Sequence, residues 1–124
     1  MDTSPRYSRA YVKKETFPAI GQRMKLVRIA VAGTQAALCK KTGIKPQTWN
    51  QYERGRSRIP IDTAIEFARI YDVDLHWLYM GGPLEESRFP QQLRDAIREA
   101  ARREAEISES VKDLDDDAAD QAAG

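Results

Sequence analysis

The sequence predicts an all-α fold, and two observations support this expectation. Apolar residues recur three and four residues apart from Ile20 onwards, which is the period of a helix with one buried face. Glycine and proline then divide the chain into short segments, because glycine commonly ends a helix and proline commonly begins one. A chain of 124 residues can bury one modest core. We therefore expect one helical domain with polar segments at both ends.

The first three predicted helices follow one another closely. The first begins at Ile20 and ends before Gly33. The second covers residues 35–42, is capped by Thr34 and is closed by Gly43. After a short turn the third covers residues 45–54, with Pro46 at its start. Two short helices joined by a tight, glycine-containing turn form a helix-turn-helix, in which one helix braces across DNA and the other enters the major groove.

Two further helices complete the predicted domain. Pro60 opens a fourth helix that continues through Tyr71, and Asp74 caps a short fifth one. The dipeptide Gly81-Gly82 followed by proline is typical of a boundary. The sequence therefore predicts a five-helix domain over residues 20–82.

The segment 83–114 predicts one more helix, which is amphipathic. Its heptad positions alternate four and three residues apart, and all of them except Glu104 are apolar: Leu93, Ile97, Ala100, Glu104, Ile107, Val111 and Leu114. Glutamate 104 is an acidic defect in this repeat, so the helix could pair with a second copy, fold back on its own bundle, or bind a protein partner through residues 85–114. Residues 115–124 are too acidic and too poor in large apolar side chains to fold alone, and we expect them to be disordered.

Charge is divided unevenly along the chain. Residues 1–19 form a basic arm without a sustained period, which we expect to be flexible and which could alternatively lie along DNA phosphates. Residues 20–82 carry ten basic and five acidic side chains, whereas residues 83–124 carry six and twelve. A basic body with an acidic tail is typical of nucleic-acid binders, although ordinary surface charge gives the same balance.

Composition argues against several other classes of protein. There is no apolar run long enough for a membrane span and no signal-peptide block, so we expect a cytoplasmic protein without a membrane partner. One cysteine, Cys39, and one histidine, His76, cannot supply a metal cluster, and we expect no metal and no cofactor. No nucleophile with a base and no phosphate loop is recognisable, which predicts that the chain has no catalytic residues and is not an enzyme.

The predicted domain resembles the Xre/Cro/C1 family of phage and bacterial repressors. The resemblance is carried by TQAALCKKTG for the bracing helix, YERG at the end of the recognition helix, Pro60 opening the next helix, and DLHWLYMGG for the closing helix. It covers about half of the chain. It implies a lambda-repressor-like five-helix bundle that binds operators, commonly as a dimer. Trp49 stands where the family usually has a small aliphatic residue, so its side chain could fill the core or push the helix outward.

The candidate base-reading residues lie on the third helix. Gln47 and Gln51 are four residues apart and share one face, with Thr48 and Asn50 beside it and Lys45 near the helix start. Glutamine and asparagine amides can pair with N6 and N7 of adenine, and lysine can contact guanine or a phosphate. For each of these residues, an exposed polar side chain without a base contact is the alternative.

Candidate phosphate contacts surround this helix. Gln35 begins the bracing helix, where free N–H groups and the helix dipole favour an anion, and capping is the alternative role. Basic side chains supply the remainder of the set, which comprises Arg23, Arg54, Arg56 and Arg58. The resemblance further implies that Arg28 and Glu53 form an internal ion pair that joins the first helix to the third.

Two functions remain open from the sequence. The first is a dimeric transcriptional repressor, or an activator, that recognises an inverted-repeat operator in double-stranded DNA with helix 45–54 in the major groove. The second is an antitoxin or anti-activator that acts mainly through protein contacts of the C-terminal helix. Deleting that helix discriminates between them, because a plain repressor keeps operator binding.

Overall fold

The computed structural model describes residues 16–123, with side chains through Lys112. Over this range every regular element is helical, and a 3-10 turn, Leu84–Glu86, lies before the last helix. The helices are α1 (Thr16–Val31), α2 (Gln35–Thr42), α3 (Pro46–Glu53), α4 (Ile61–Tyr71), α5 (Leu75–Met80) and α6 (Gln91–Ala123). The predicted all-α class, with five bundle helices and one extra C-terminal helix, is confirmed.

The first helix begins earlier than the sequence predicted. It starts at Thr16 and not at Ile20. Pro18 is compatible with this earlier start, because it lies in the first turn, where a missing N–H removes no helical hydrogen bond. The helix start also has a tertiary contact, since the Arg58 guanidinium lies 5.5 Å from the centre of the Phe17 ring. Residues 16–19 of the predicted flexible arm are therefore part of the bundle, and the rest of that arm lies outside the described residues.

The core lies between the five bundle helices. Its largest fully buried side chains come from all five, from the loop before α4 and from α6: Met24, Val27, Leu38, Trp49, Ile59, Phe67, Leu78 and Ile97. At Gly21 of α1, an added Cβ would lie 2.5 Å from the carbonyl oxygen of Tyr52. Glycine here lets the backbones of α1 and α3 approach closely, and this approach holds α3 against the bundle.

The turn between α2 and α3 follows the predicted local signals. The Thr34 hydroxyl accepts a hydrogen bond of 3.1 Å from the backbone N–H of Ala37, which caps α2. Gly43 adopts a left-handed conformation with φ of 79°, and its N–H donates to the carbonyl of Cys39. Pro46 then occupies the first position of α3. These three residues set the short connection that places α3 across α2.

The extra helix folds back on the bundle over its first half. Phe89, just before α6, is buried edge-on against Trp77, with ring centres 5.3 Å apart. Ile97 and Ala100 are buried, and the Lys25 ammonium on α1 lies 2.7 Å from the Glu104 carboxylate. The fold-back that the sequence left open therefore applies to this half of the helix.

The second half of α6 differs from the prediction for the tail. Residues 105–112 are all exposed. The helix continues to Ala123, whereas the acidic composition of residues 115–124 predicted a disordered tail. Just before this stretch, arginine-glutamate pairs three and four residues apart, such as Glu99 with Arg102, support α6 through contacts along its own surface.

Candidate nucleic-acid interface

The inner face of α3 is anchored by an aromatic cluster. Trp49 has no exposed surface, and its ring meets that of Phe67 edge-on with centres 5.2 Å apart. The Trp49 indole N–H donates to the Glu53 carboxylate, which satisfies the one polar atom of this side chain. From the sequence, the Trp49 side chain could either fill the core or push the helix outward, and the structure places it in the core. Its burial orients the opposite face of α3 outward.

An ion pair fixes α3 relative to α1. The Arg28 Nε and Nη2 atoms each lie 2.9 Å from an oxygen of Glu53, and the two side chains are only 12% and 5% exposed. The Arg28 Nη1 atom also donates to the carbonyl of Gly33 over 2.6 Å. The hydrogen bond to Glu53 raises the pKa of Arg28, so this guanidinium stays charged. One side chain thus joins α1, the turn before α2, and α3.

The outer face of α3 carries the predicted base-reading residues. Lys45 and Gln47 are exposed, and Gln51 is half-buried one turn after Gln47. Thr48 and Asn50 are half-buried at the two sides of this face. Because Trp49 and Tyr52 occupy the buried side, Gln47 and Gln51 point away from the bundle. The structure thus brings these residues together on one surface.

Asn50 has a partner that the sequence did not indicate. The amide of Gln35, at the start of α2, donates to the Asn50 side-chain carbonyl over 3.3 Å. A predicted phosphate contact and a predicted base contact are therefore coupled through one hydrogen bond. The only sequence signal is that both are amides on the two helices of one helix-turn-helix, which does not specify a distance.

Two arginines follow α3 on an ordered loop. Arg54 and Arg56 are exposed, and their backbone N–H groups donate to the carbonyls of Asn50 and Gln51. Gly55 between them has φ of 71°, and a Cβ there would lie 2.6 Å from Pro18. Neither arginine forms an ion pair within residues 16–112. Their charge is thus available to an external anion next to α3.

Arg58 and Arg23 are held differently. The exposed Arg58 lies over the Phe17 ring and so keeps its charge at the same edge of the bundle. Arg23 had been predicted to contact a phosphate, but its guanidinium donates to the carbonyls of Leu78 and Tyr79 over 2.8 and 3.1 Å. Burial lowers the pKa of Arg23. Its guanidinium therefore stabilises the carbonyl end of α5.

The position of Arg23 could have been anticipated from the helix period. It lies three residues after Ile20 and one before Met24, both of which are buried, so it flanks the buried face of α1. Long basic side chains at such an edge commonly cover neighbouring helix ends. Charge alone had suggested a phosphate contact, and the helix period is the better guide at this position.

Comparison with known proteins bears on the same region. Residues 24–78 match the family described as helix-turn-helix, of the Cro/C1 type. No curated protein and no solved structure matches the chain. The match spans the aromatic cluster, the Arg28–Glu53 ion pair and the whole outer face of α3.

These observations together define a class of protein. Over residues 24–78, less than half of the chain, the protein carries a helix-turn-helix domain of the Cro/C1 type, which is a DNA-binding regulatory domain. This domain supports a role as a DNA-binding transcription regulator. In the part of the chain that the structure describes, no helix is long and apolar enough to cross a membrane, and no cluster of side chains could hold a metal ion.

Proposed function

We propose that the chain is a dimeric cytoplasmic repressor that recognises an inverted-repeat operator with α3 in the major groove. The observation that supports this most is the outer face of α3, where Gln47 and Gln51 project one turn apart from a helix whose other side is fully buried. A rigid helix with two outward amides fits direct recognition of adenine edges. Two such helices, about 34 Å apart in a dimer, fit half-sites one turn apart.

The proposed base contacts differ in their freedom. Gln47 and Lys45 are exposed, so they can adapt to a base edge or a phosphate. The Asn50 amide is already paired with Gln35, which fixes its orientation before DNA arrives. A pre-oriented amide loses less side-chain entropy on binding than a free one. We therefore assign Asn50 to the pre-oriented part of recognition, Gln51 together with Gln47 and Lys45 to the adaptable part, and Thr48 to a contact at the edge of this face.

The proposed phosphate contacts lie on both sides of α3. Gln35 begins α2, where the positive end of the helix faces outward next to its amide. Arg54, Arg56 and Arg58 follow α3 on the loop whose backbone is held against α1. We do not assign Arg23 to a phosphate, because its Nε and Nη2 atoms donate to backbone carbonyls of α5. Phosphate contacts on either side of a recognition helix fix its register in the groove.

Repression follows from occupancy in this proposal. A protein dimer seated across two major grooves covers a promoter that overlaps its operator, so polymerase is excluded without a further contact. The sign of regulation is then set by where the operator lies. The chain itself needs only affinity and specificity.

The experiment is DNA selection from a random library with the purified protein at fixed salt. The Gln47→Ala, Gln51→Ala double variant is compared with Gln92→Ala, an exposed glutamine of α6. We expect the wild type and Gln92→Ala to select the same inverted repeat. The double variant should lose about 1 to 3 kcal/mol for each bidentate contact removed, and only at the bases contacted.

A different result would reject operator recognition by α3. This would be salt-sensitive binding without a motif, unchanged in the double variant. Selection of a single half-site would retain base recognition by α3 and reject the dimer on DNA. Thermal unfolding of all variants checks that the bundle is intact.

A further inference from the structure

Three residues of α1 form a stripe that faces the end of the recognition helix. Gly21, Lys25 and Arg28 lie four and three residues apart, so they share one side of α1. At Gly21 an added Cβ would lie 2.6 Å from the carbonyl oxygen of Glu53, and the Arg28 guanidinium pairs with the Glu53 carboxylate. The end of α3 therefore lies along this stripe, and Lys25 is the residue between the two contacts.

The same stripe of α1 also meets α6. The Lys25 ammonium lies 2.7 Å from the Glu104 carboxylate, and both side chains are half-buried. Ala100 and Ile97, one and two turns earlier in α6, are buried. Residues 105–112 are all exposed, so the contact of α6 with the bundle ends at Glu104. Helices α3 and α6 thus contact one stripe of α1, each through a glutamate.

The two glutamates balance two cations at this junction. Lys25 and Arg28 lie one turn apart on α1, and Glu53 supplies one anion and Glu104 the other. The hydrogen bond to Glu53 is the main cause of the raised pKa of Arg28, and the charge of Glu104 adds to it. Glu104 is therefore close enough to act on Arg28 as well as on Lys25.

We propose that Glu104 is a positioning residue for operator recognition, through which docking of α6 on α1 holds α3 in its DNA-binding orientation. Glu104 binds Lys25 and so leaves Glu53 to Arg28. The proposal rests on the proposed function, since it concerns how α3 is presented to an operator. The match to the helix-turn-helix family ends at residue 78, so this contact comes from a helix outside the matched domain.

Undocking of α6 acts on α3 through Glu53. A Lys25 ammonium without Glu104 competes with Arg28 for the Glu53 carboxylate, because a half-buried charge is stabilised by a nearby opposite charge. Glu53 also accepts the Trp49 indole N–H, which anchors the inner face of α3. The orientation of α3 then becomes less defined. Base contacts depend on this orientation, whereas non-specific binding is mainly electrostatic, so undocking should weaken operator binding more than non-specific binding.

Docking of α6 and operator binding are linked in both directions. If docked α6 raises the affinity of the chain for its operator, the bound operator stabilises docking by the same factor. Deletion of the whole helix therefore weakens a repressor as well. Such a deletion no longer separates the two functions that the sequence left open.

The test compares Glu104→Lys with Glu109→Lys in the full chain. Both substitutions replace a negative by a positive charge, which by itself favours DNA binding. Glu104 faces Lys25, whereas Glu109 is exposed in the second half of α6. The affinity of each variant is measured at one salt concentration for the selected operator and for a random duplex of the same length. We expect Glu104→Lys to reduce the ratio of the two affinities about tenfold and Glu109→Lys to leave it unchanged.

An equal ratio in the two variants would overturn the proposal. Loss of folded protein lowers both affinities of a variant by the same factor, so it does not change the ratio. Glu104→Gln removes the charge without adding a cation beside Lys25, and we expect it to reduce the ratio by about two- to fivefold. This milder variant decides the question if Glu104→Lys does not fold.

A measurement without DNA separates this proposal from the proposed function. The Trp49 indole N–H donates to Glu53, whereas the Trp77 indole N–H donates to the carbonyl of Gly82. In Glu104→Gln we expect the NMR signal of the Trp49 indole N–H to shift and that of Trp77 to keep its position. An unchanged Trp49 signal would overturn the coupling of α6 to α3, even where the wild type selects an operator. A wild type that selects no motif would reject the proposed function, and the Trp49 signal would still decide the coupling.

Discussion

Ile97 and Ile107 are the same residue type on the same stripe of one helix, yet their environments are opposite. Ile97 is 1% exposed and packs with the bundle core, whereas Ile107 is 57% exposed. The heptad pattern assigns both to an apolar face and is silent about what covers that face. The covering depends on the path of α6 along α1, which ends at the Lys25–Glu104 ion pair. A periodic pattern therefore predicts a face, and tertiary structure decides its partner.

The largest expected effect comes from truncating the two isoleucines separately. Ile97→Ala removes buried methyl groups from a closed contact, so we expect a loss of about 2 to 5 kcal/mol in the free energy of unfolding. Ile107→Ala removes methyl groups that are largely exposed to solvent, and we expect the free energy of unfolding to change by less than about 0.5 kcal/mol. Chemical denaturation at low protein concentration measures both, because self-association then contributes little.

Equal effects of the two substitutions would break the comparison. A large loss at Ile107 in dilute protein would mean that the second half of α6 also packs on its own bundle. A small loss at Ile97 would mean that the first half detaches readily from α1. Ala101→Gly, at an exposed position between them, controls for helix propensity, with an expected loss of about 1 kcal/mol or less.

Most of the fold was predictable because its signals are local. Thr34, Gly43 and Pro46 mark helix ends through their own backbone chemistry, and the structure uses each as predicted. The start of α1 was not predictable in this way, because Pro18 is compatible both with a loop and with a first helical turn. The contact between Arg58 and Phe17, far apart in the sequence, belongs to the helical alternative.

The candidate site was predictable as a surface but not as a network. Helical spacing placed Gln47 and Gln51 on one face, and the burial of Trp49 agrees with that orientation. The bond between Gln35 and Asn50, and the engagement of Arg23 by α5, depend on distances between separate helices. Spacing along one helix carries no such information.

A smaller effect is expected at the ion pair that divides the two halves of α6. The Lys25 and Glu104 side chains are 36% and 21% exposed, so solvent screens part of their attraction. In a double-mutant cycle with Lys25→Met and Glu104→Gln, we expect a coupling of up to about 1 kcal/mol that decreases as salt is added. Urea denaturation of the four proteins measures it.

The pair of Arg69 with Glu66 is the matched control for this cycle. Both of its side chains are mostly exposed, and we expect its coupling to be close to zero. If the two cycles gave the same small coupling, the Lys25–Glu104 pair would not anchor α6. The boundary between the halves would then be set by Ile97 and Ala100 alone.

The smallest expected effect is a loss of helix stability in acid. It concerns the partly exposed carboxylate of Glu99, which lies close to where α6 leaves the bundle. Hydrogen bonds from Arg102 and then Arg103 lower the pKa of Glu99 from its ordinary 4.5 to about 2. A lowered pKa in the folded state means that this support is complete above about pH 4.5 and is lost as the pH falls through about 2.

We expect an NMR titration of the Glu99 side chain to show a midpoint well below 4.5. The helicity difference between the wild type and Glu99→Gln should vanish over the same range, since the two proteins are then alike in charge at this position. A midpoint near 4.5 would mean that the arginines do not hold Glu99.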